Sequence, residues 1–381
     1  MSSTPERNPA GASTGAMRGV FERAGFAPVE PPLLQPADVF LDRSGEDIRR
    51  RLYVFTDPGG QELCLRPDLT IPTCRLYLEG AGDGEAKYCY SGAVFRFDPK
   101  GSGEVVQTGA EFFGGRDAEA ADAEMLALAA EAVRAGGLSA FDIEMGDLAL
   151  FDALVDALDI PTGWRTRLKR HFWRPQYFKE LVQRLAADGG ANERSEEQAG
   201  LLAALNVLDD QSAKSVIADV LDLAKIAPVG GRSIAEIAER FLERAADRST
   251  APLSKEVADL IGTFLSLKLA PRDAVKSIRD MTKAACISIE TPVAALERRL
   301  ELIEKKGVDL SRARFGTGFG RTLEYYTGFV FELRRSGAGA EGAVAGGGRY
   351  DGLLQSLGAK TRIPAVGCAI TGADLSGEAV R

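Results

Sequence analysis

The chain has 381 residues, of which 45% are hydrophobic and 27% are charged, and its formal net charge at pH 7 is −8. This composition indicates a globular protein of two or three domains, and the negative charge excludes a general electrostatic field for holding nucleic acid. Five scattered cysteines without a CxxC pair predict free thiols in a reducing, cytoplasmic compartment. With a single histidine, His171, we expect a structural imidazole and no metal site. No apolar run is long enough to span a membrane.

The first third of the chain predicts a helix followed by strands. Residues 1–15 are small and polar and predict a flexible tail. A helix is predicted near 15–24, because Gly25 follows it. The turn Asp57-Pro58-Gly59-Gly60 predicts a hairpin. We expect three short β-type runs to be neighbouring strands of a mainly antiparallel sheet, namely 52–55, 62–65 and 93–97.

The remaining elements predict a discontinuous domain. An alanine-rich helix is predicted over 118–136, because Met125, Leu128 and Ala132 fall on one helical face, and this helix should cover the sheet. Helical periodicity dominates from 148 to 302 and predicts a helical insertion. After it, short β-type runs and glycine-rich segments occur again. We therefore predict an α+β fold in which residues 16–147 and 303–381 form one core domain around the insertion.

Two polar motifs follow the predicted strands. Asp68 and Thr70 come directly after Leu65-Arg66-Pro67, where Asp68 could hold an ammonium group, but both side chains could equally cap the next helix. On a strand over 107–111, Gln107 and Glu111 share a face, and Gly109 leaves a gap between them. With Arg96 supplying a positive charge, a small polar ligand could fit there. Polar residues on a solvent-exposed sheet face would give the same pattern.

Two further motifs lie in the last part of the chain. The segment 320–328 combines Arg321 with Tyr325 and Tyr326, and tyrosine hydroxyls suit a heteroaromatic ring that donates and accepts hydrogen bonds. Core tyrosines are the alternative. The segment 346–352, Gly-Gly-Gly-Arg-Tyr-Asp-Gly, permits close backbone approach, although a plain turn before a helix would read the same way. It lacks the Gly-Lys-Ser/Thr ending of a phosphate loop, and we expect no cofactor.

In this order, the four motifs resemble the catalytic domain of class II histidyl-tRNA synthetases, over most of the chain outside the helical insertion. The last two resemble that family's histidine-recognition motifs. The resemblance implies a class II synthetase-like antiparallel sheet and a histidine pocket. The implied histidine-binding residues are Asp68 (usually Glu in the synthetases), Thr70 and Gln107 toward the amino group, Arg96 and Arg321 toward the carboxylate, and Glu111, Tyr326 and Tyr350 around the imidazole. Tyr325, in the same motif as Tyr326, is also expected to bind histidine.

Departures from the synthetase pattern predict the loss of its chemistry. The loop 97–104 is short and acidic at both ends, where the synthetases carry further arginines for ATP and tRNA. Asp374 stands where the family has an arginine that holds the triphosphate, and a carboxylate there repels phosphate. We therefore expect no adenylation. Only seven residues follow Asp374, so we also expect no anticodon-binding domain and no tRNA partner.

A synthetase-like body of this kind resembles the regulatory subunits of ATP phosphoribosyltransferase. This resemblance implies a non-catalytic subunit that forms a homodimer and assembles with the short-form catalytic subunit, which performs the first step of histidine biosynthesis. The regulatory subunit would activate its partner and transmit feedback inhibition by L-histidine. The alternatives are a truncated histidyl-tRNA-synthetase-like enzyme that adenylates histidine or another small acid, and a scaffold with a vestigial pocket. ATP-pyrophosphate exchange separates the first from the regulatory subunit, and histidine binding separates the second.

Overall fold

The computed structural model describes residues 9–41, 48, 50–80, 82, 84–99, 101–172, 174–186, 252–319, 325–337, 342–372 and 375–376. The helices of these residues are α1 (Pro9–Arg23), α2 (Ala37–Leu41), α3 (Thr70–Glu79), α4 (Ala118–Ala135), α5 (Leu148–Ala157), α6 (Thr162–His171), α7 (Pro175–Ala186), α8 (Lys255–Ser266), α9 (Pro271–Ala284), α10 (Glu290–Lys305) and α11 (Leu353–Ser356). The strands are β1 (Ala27–Pro28), β2 (Leu34–Pro36), β3 (Val54–Thr56), β4 (Glu62–Leu65), β5 (Ala86–Phe95), β6 (Glu104–Phe113), β7 (Phe141–Asp147), β8 (Lys268–Leu269), β9 (Ala313–Gly316), β10 (Phe329–Arg335), β11 (Ala343–Arg349) and β12 (Ala365–Thr371).

A nine-stranded sheet forms the centre of the fold, in the order β1-β5-β6-β12-β11-β10-β7-β9-β8. The β1–β5 and β7–β9 pairs are parallel, and the other neighbours are antiparallel. Because β12 pairs with β6 and β10 pairs with β7, strands from both ends of the chain share this sheet. The predicted α+β fold with a mainly antiparallel sheet is therefore confirmed.

A separate three-stranded sheet has the order β2-β4-β3. Its β3–β4 hairpin is confirmed: the Gly60 N–H donates to the Asp57 carbonyl at 3.0 Å, and Asp57 Oδ1 accepts from the Gln61 N–H at 2.9 Å. The prediction that 93–97 neighbours these two strands is wrong. That segment ends β5, whose ten residues all pair with β6, so the long partner strand holds it in the larger sheet.

Two helices that pack together, α1 and α4, also contact the large sheet, and α4 covers it as predicted. Asp117 begins α4 by accepting a hydrogen bond from the Ala120 N–H at 3.1 Å. The first helix begins at Pro9, within the segment predicted as a tail. Proline suits the first turn of a helix because its missing N–H has no helical partner there, and burial of Met17 and Phe21 stabilises the helix on the core.

Four buried charged side chains join the helices to the sheet. Arg299 of α10, which is 4% exposed, donates from Nε to Asp122 of α4 at 2.8 Å and from Nη1 to Asp147 at the end of β7 at 2.8 Å. Arg349 at the end of β11 donates to the other oxygen of Asp122 at 2.6 Å. The Arg299 guanidinium also lies 5.0 Å from the centroid of the Phe329 ring. This buried charge network was not predicted from the sequence.

The chain divides into two compact units, 1–157 with 263–381 and 158–262. In the second unit, α6 and α7 pack through buried side chains that include Trp164, Leu168 and Phe178, and the His171 ring lies 4.8 Å from the Tyr177 ring. The domain boundaries at 148 and 302 stay a prediction. Within the described residues, the helices are too short or too polar to cross a bilayer.

Candidate functional site

A cavity of about 150 Å³ lies where β6, β10, β11 and β12 meet the start of α3. An apolar cavity of similar size is known to accommodate one benzene ring, so the space suits a small ring. Most of the predicted site residues line it: Asp68, Thr70, Arg96, Gln107, Tyr325, Tyr326 and Tyr350. Glu111 is not part of the wall, and Arg321 lies outside the described residues. Lining residues that the sequence did not indicate are Ile48, Phe319, Val330, Phe331, Glu332, Cys368, Ala369 and Thr371.

Asp68 is a buried polar residue of the cavity wall. Its Oδ1 accepts a hydrogen bond from the Ile71 N–H in the first turn of α3 at 3.1 Å. Its Oδ2 is buried and has no hydrogen-bond partner among the described residues. Burial raises the pKa of Asp68, while the Ile71 N–H, the charge of Arg96 and the Thr70 N–H act in the opposite direction. The carboxylate therefore caps the helix with one oxygen and keeps the other available as an acceptor.

Two hydrogen bonds hold the segment that carries Asp68. Arg96, directly after β5, donates from Nε to the Pro67 carbonyl at 2.7 Å. Gln107 on β6 accepts from the Leu69 N–H through Oε1 at 3.0 Å. Because the two partners come from neighbouring strands, the sheet fixes the position of the segment. The guanidinium and the amide thus reach the cavity wall from a rigid support.

Glu111 lies in a buried hydrogen-bond cluster behind the cavity wall. Its side chain is fully buried, and its Oε1 accepts from the Tyr90 hydroxyl at 2.9 Å. Its Oε2 accepts from the hydroxyl of Tyr350, a residue that does line the cavity. Gly367 on β12 makes the position possible, since a Cβ there would lie 1.5 Å from Oε2. Glu111 thus orients the Tyr350 hydroxyl, and its direct contact with an imidazole stays a prediction.

Tyr90 is a residue of this cluster that the sequence analysis missed. It pairs in register with Gly109 across the β5–β6 ladder, and a Cβ at Gly109 would lie 2.7 Å from the Tyr90 hydroxyl oxygen. The gap that we predicted for a ligand at Gly109 is therefore filled by Tyr90. An aromatic residue opposite a glycine on an antiparallel pair is the signal that would have indicated this contact.

Three tyrosines form the aromatic part of the wall. The rings of Tyr325 and Tyr326, in the turn before β10, lie 5.0 Å apart at 63°, and those of Tyr325 and Tyr350 lie 5.8 Å apart at 80°. Burial raises the pKa of all three hydroxyls, so they are neutral and can both donate and accept. Gly347 brings the β11 backbone close to β12, since a Cβ there would lie 2.5 Å from the Gly367 carbonyl.

The β5–β6 connection, 97–104, is a short turn. β5 ends at Phe95 and β6 begins at Glu104, and the Arg96 N–H donates to the Gly103 carbonyl at 2.8 Å. The described part of this turn contributes no side chain to the cavity. Asp374, the second departure from the synthetase pattern, lies outside the described residues.

The titration of Glu111 should make stability fall as pH rises. Burial raises the pKa of Glu111 from 4.5 to about 7, so between these values the folded state binds more protons than the unfolded state. One pKa unit corresponds to about 1.4 kcal/mol, which gives a loss of about 3 kcal/mol across this window. Glu111→Gln should show a shallower decline, measured by urea unfolding at pH 5, 6 and 7.5. If the free energy of unfolding falls equally with pH in both proteins, a raised pKa of Glu111 is excluded.

Sequence comparison identifies related proteins over nearly the whole chain. Residues 6–229 and 232–375 match the family described as histidyl-tRNA synthetase. A relative from Brucella anthropi, named ATP phosphoribosyltransferase regulatory subunit, is 37% identical over 345 residues, which are 90% of each chain. Relatives of the same name from Chelativorans sp. and Mesorhizobium japonicum are each 38% identical, over 88% and 90% of each chain.

Solved structures show the same fold. A protein from Bacillus halodurans, described as an ATP phosphoribosyltransferase regulatory subunit/histidyl-tRNA synthetase, superposes with a TM-score of 0.65 at 21% identity, covering 97% of this chain and 79% of that one. A histidine–tRNA ligase subunit from Alicyclobacillus acidocaldarius gives a TM-score of 0.56 at 26% identity, over 97% and 93% of the chains. These likenesses confirm the predicted class II synthetase-like architecture.

Proposed function

This chain belongs to the ATP phosphoribosyltransferase regulatory subunit family, built on a histidyl-tRNA-synthetase-like domain, and we propose that it is a non-catalytic subunit that senses L-histidine. In this proposal it assembles with the short-form catalytic subunit of ATP phosphoribosyltransferase, raises the activity of that subunit and transmits feedback inhibition by histidine. It acts in the cytoplasm as a homodimer within the complex and binds no tRNA. Its five free thiols suit a reducing compartment.

One observation carries the histidine proposal. Asp68 is 5% exposed, and its Oδ2 reaches no hydrogen-bond partner among the described residues although the side chain lines a cavity. Leaving a buried acceptor unpaired is costly, and a ligand ammonium would remove that cost. A ligand with a positive group and a small ring therefore fits this wall better than a purely apolar one.

The remaining groups of the wall match the other parts of histidine. Arg96 offers the positive charge that a carboxylate requires, and Arg321 is proposed to join it. Tyr326 and Tyr350 provide neutral hydroxyls, which can donate to one imidazole nitrogen and accept from the other. In this arrangement Thr70 and Gln107 flank the amino group beside Asp68. The three parts of the amino acid thus meet three different kinds of side chain.

Calorimetric titration of the purified chain tests this proposal. L-histidine should give saturable binding, while histamine, which lacks the carboxylate, should bind at least tenfold more weakly because it does not engage Arg96. In a separate assay, the chain should catalyse no ATP-pyrophosphate exchange in the presence of histidine, since we expect no adenylation. Absence of histidine binding would contradict the sensing function, and histidine-dependent ATP-pyrophosphate exchange would favour the adenylating alternative.

Assembly with the catalytic subunit needs a separate test. A ligand shifts an equilibrium only through different affinities for its states, so histidine must bind the inhibited arrangement of the complex more tightly than the active one. We expect the mixed subunits to co-elute, to exceed the activity of the catalytic subunit alone and to lose this gain with histidine. An Asp68→Asn complex should keep the activation and need more histidine for inhibition. Equal histidine sensitivity of both complexes would place the feedback site elsewhere.

Exposed apolar side chains support the homodimer. They surround the three-stranded sheet and the β5–β6 turn, and we refer to them as the apolar cluster: Leu34, Val54, Phe55, Phe97 and Val105, each between 37% and 50% exposed. The Phe97 N–H donates to the Arg51 carbonyl at 2.8 Å, which ties the turn to the segment before β3. Exposed apolar groups of this kind mark protein interfaces, and a second copy of the chain would bury them.

Charges in the apolar cluster should dissociate the dimer. Phe55→Glu with Phe97→Glu places two carboxylates in an interface that would have to desolvate them. We expect the mass in solution to fall from that of a dimer to that of a monomer, measured by light scattering after gel filtration. The control pair Thr263→Glu and Gln355→Glu adds the same charge at exposed positions outside the cluster. A dimer that survives the first pair would exclude this interface.

A further inference from the structure

A second, larger cavity lies at the other end of β5 and β6, away from the histidine pocket. Its volume is about 950 Å³, and it is bounded by the end of α3, the start of β5, the end of β6 and the loop 357–364. The charged side chains on its wall are Glu85, Arg116, Lys360 and Arg362. We refer to this cavity as the basic groove.

The basic groove concentrates positive charge on a chain whose net charge is −8. Arg116, Lys360 and Arg362 face one carboxylate, Glu85, among the described lining residues. The closest approach of Arg362 to a carboxylate is 3.7 Å, to Asp351. Arg116 and Lys360 form no ion pair within the part of the chain that the structure describes. Arg116 and Lys360 therefore leave most of their charge available to a bound anion, whereas Arg362 shares part of its charge with Asp351.

The backbone around the basic groove supplies further hydrogen-bond donors. Among described atoms, no backbone carbonyl accepts a hydrogen bond from the N–H groups of Lys360, Thr361 and Arg362. Gly114 adopts a positive φ of 75°, and a Cβ there would lie 2.8 Å from the Gly84 carbonyl. Glycine at this position therefore lets the end of β6 lie close to the segment before β5. Exposed N–H groups beside arginine and lysine are the donor set that phosphate groups use in proteins.

We propose that the basic groove binds a phosphorylated sugar or nucleotide. Its volume lies within the range of about 300 to 1,000 Å³ that is typical of small-ligand sites. The three cations and the loop N–H groups would hold the phosphate, and the Glu85 carboxylate would accept hydrogen bonds from sugar hydroxyls. Glu85 repels the phosphate of any such ligand, and only a ligand with hydroxyls offsets this repulsion by donating hydrogen bonds to the carboxylate. The groove and the histidine pocket share no lining residue, so the proposal does not depend on histidine sensing.

Calorimetric titration with ribose 5-phosphate, ADP and inorganic phosphate tests the proposal on the full chain. We expect saturable binding of ribose 5-phosphate or ADP, at least tenfold tighter than that of inorganic phosphate. The triple variant Arg116→Gln, Lys360→Gln and Arg362→Gln should weaken this binding at least tenfold. Because the pocket residues are untouched, the same variant should bind L-histidine with unchanged affinity, which reports an intact fold.

A matched triple variant separates a built site from general electrostatics. Lys276→Gln, Lys283→Gln and Lys306→Gln remove the same charge from exposed positions outside the groove and should leave ribose 5-phosphate and ADP binding unchanged. Equal weakening by both triple variants would overturn the proposal, as would absence of binding of both sugar phosphates to the unmodified chain. If the unmodified chain does not bind histidine, only the sensing function is contradicted, and the proposal for the basic groove is not.

Discussion

Replacing Arg299 by alanine should lower the free energy of unfolding by about 3 to 5 kcal/mol, the usual cost of breaking a buried ion pair. Arg299 binds both Asp122 and Asp147 inside the protein. Asp122 keeps a second partner in Arg349, whereas among the described residues Asp147 keeps only the hydrogen bond from the Ala149 N–H. A buried carboxylate is then left without a cation. Urea unfolding at pH 7.5 measures the loss.

The adjacent residue on the same helix is a natural control. Arg298 pairs with Asp117 and Glu119 at the surface, where ion pairs contribute little, so Arg298→Ala should change stability far less. The pH adds a second readout. Burial raises the pKa of Asp147 even with Arg299 present, so Asp147 in the variant should take up a proton in the folded state. The loss in free energy of unfolding caused by Arg299→Ala should therefore be smaller at pH 5 than at pH 7.5. Equal losses from both arginines would exclude the network as a main stabilising feature.

Replacing Asp68 by asparagine should weaken L-histidine binding by on the order of 10- to 100-fold, since a hydrogen bond to a charged group contributes about 1.5 to 3 kcal/mol. Asparagine keeps an oxygen for the Ile71 N–H, so the start of α3 is preserved. It replaces the unpartnered Oδ2 by an amide NH2, which offers an ammonium group neither charge nor an acceptor. Calorimetry gives the affinity, and urea unfolding shows whether the fold is retained.

Asp57→Asn is the matched control for Asp68→Asn. Asp57 also accepts a backbone hydrogen bond, from the Gln61 N–H, and it lies in the β3–β4 turn rather than in the cavity wall. The control should bind histidine like the unmodified chain. If Asp68→Asn binds histidine as tightly as this control does, Asp68 does not hold the amino group, and the pose proposed for histidine is wrong.

Much of the architecture could be predicted because local patterns and tertiary contacts agree. The Asp57-Pro58-Gly59-Gly60 turn specified its hairpin, and the periodicity of 118–136 specified α4 within one residue at its end. Seven predicted side chains line one cavity, since each motif lies at a strand or helix end that the sheet brings together. Sequence periodicity does not report which strands become neighbours. For that reason β5 was assigned to the wrong set of strands.

The interior polar contacts could not be predicted for a related reason. Glu111 is polar on a strand, and the sequence does not show that Gly367, more than 250 residues later, leaves room for its carboxylate. The contacts of Tyr90 and Arg299 are equally hard to predict, because their partners lie on other elements. Each of these residues acquires its role from register or helix packing. A single sequence contains the residue types but not these pairings.

The strand order has a consequence for how the chain is made. β12, β11 and β10 lie between β6 and β7, so strands that are synthesised after β7 separate it from β6 in the sheet. During synthesis, β6 and β7 each have an unpaired edge until β12 and β10 have been made. Unpaired strand edges are sites of aggregation. Contacts between such distant segments also slow folding. We therefore expect nascent chains that end before residue 329 to be bound by chaperones.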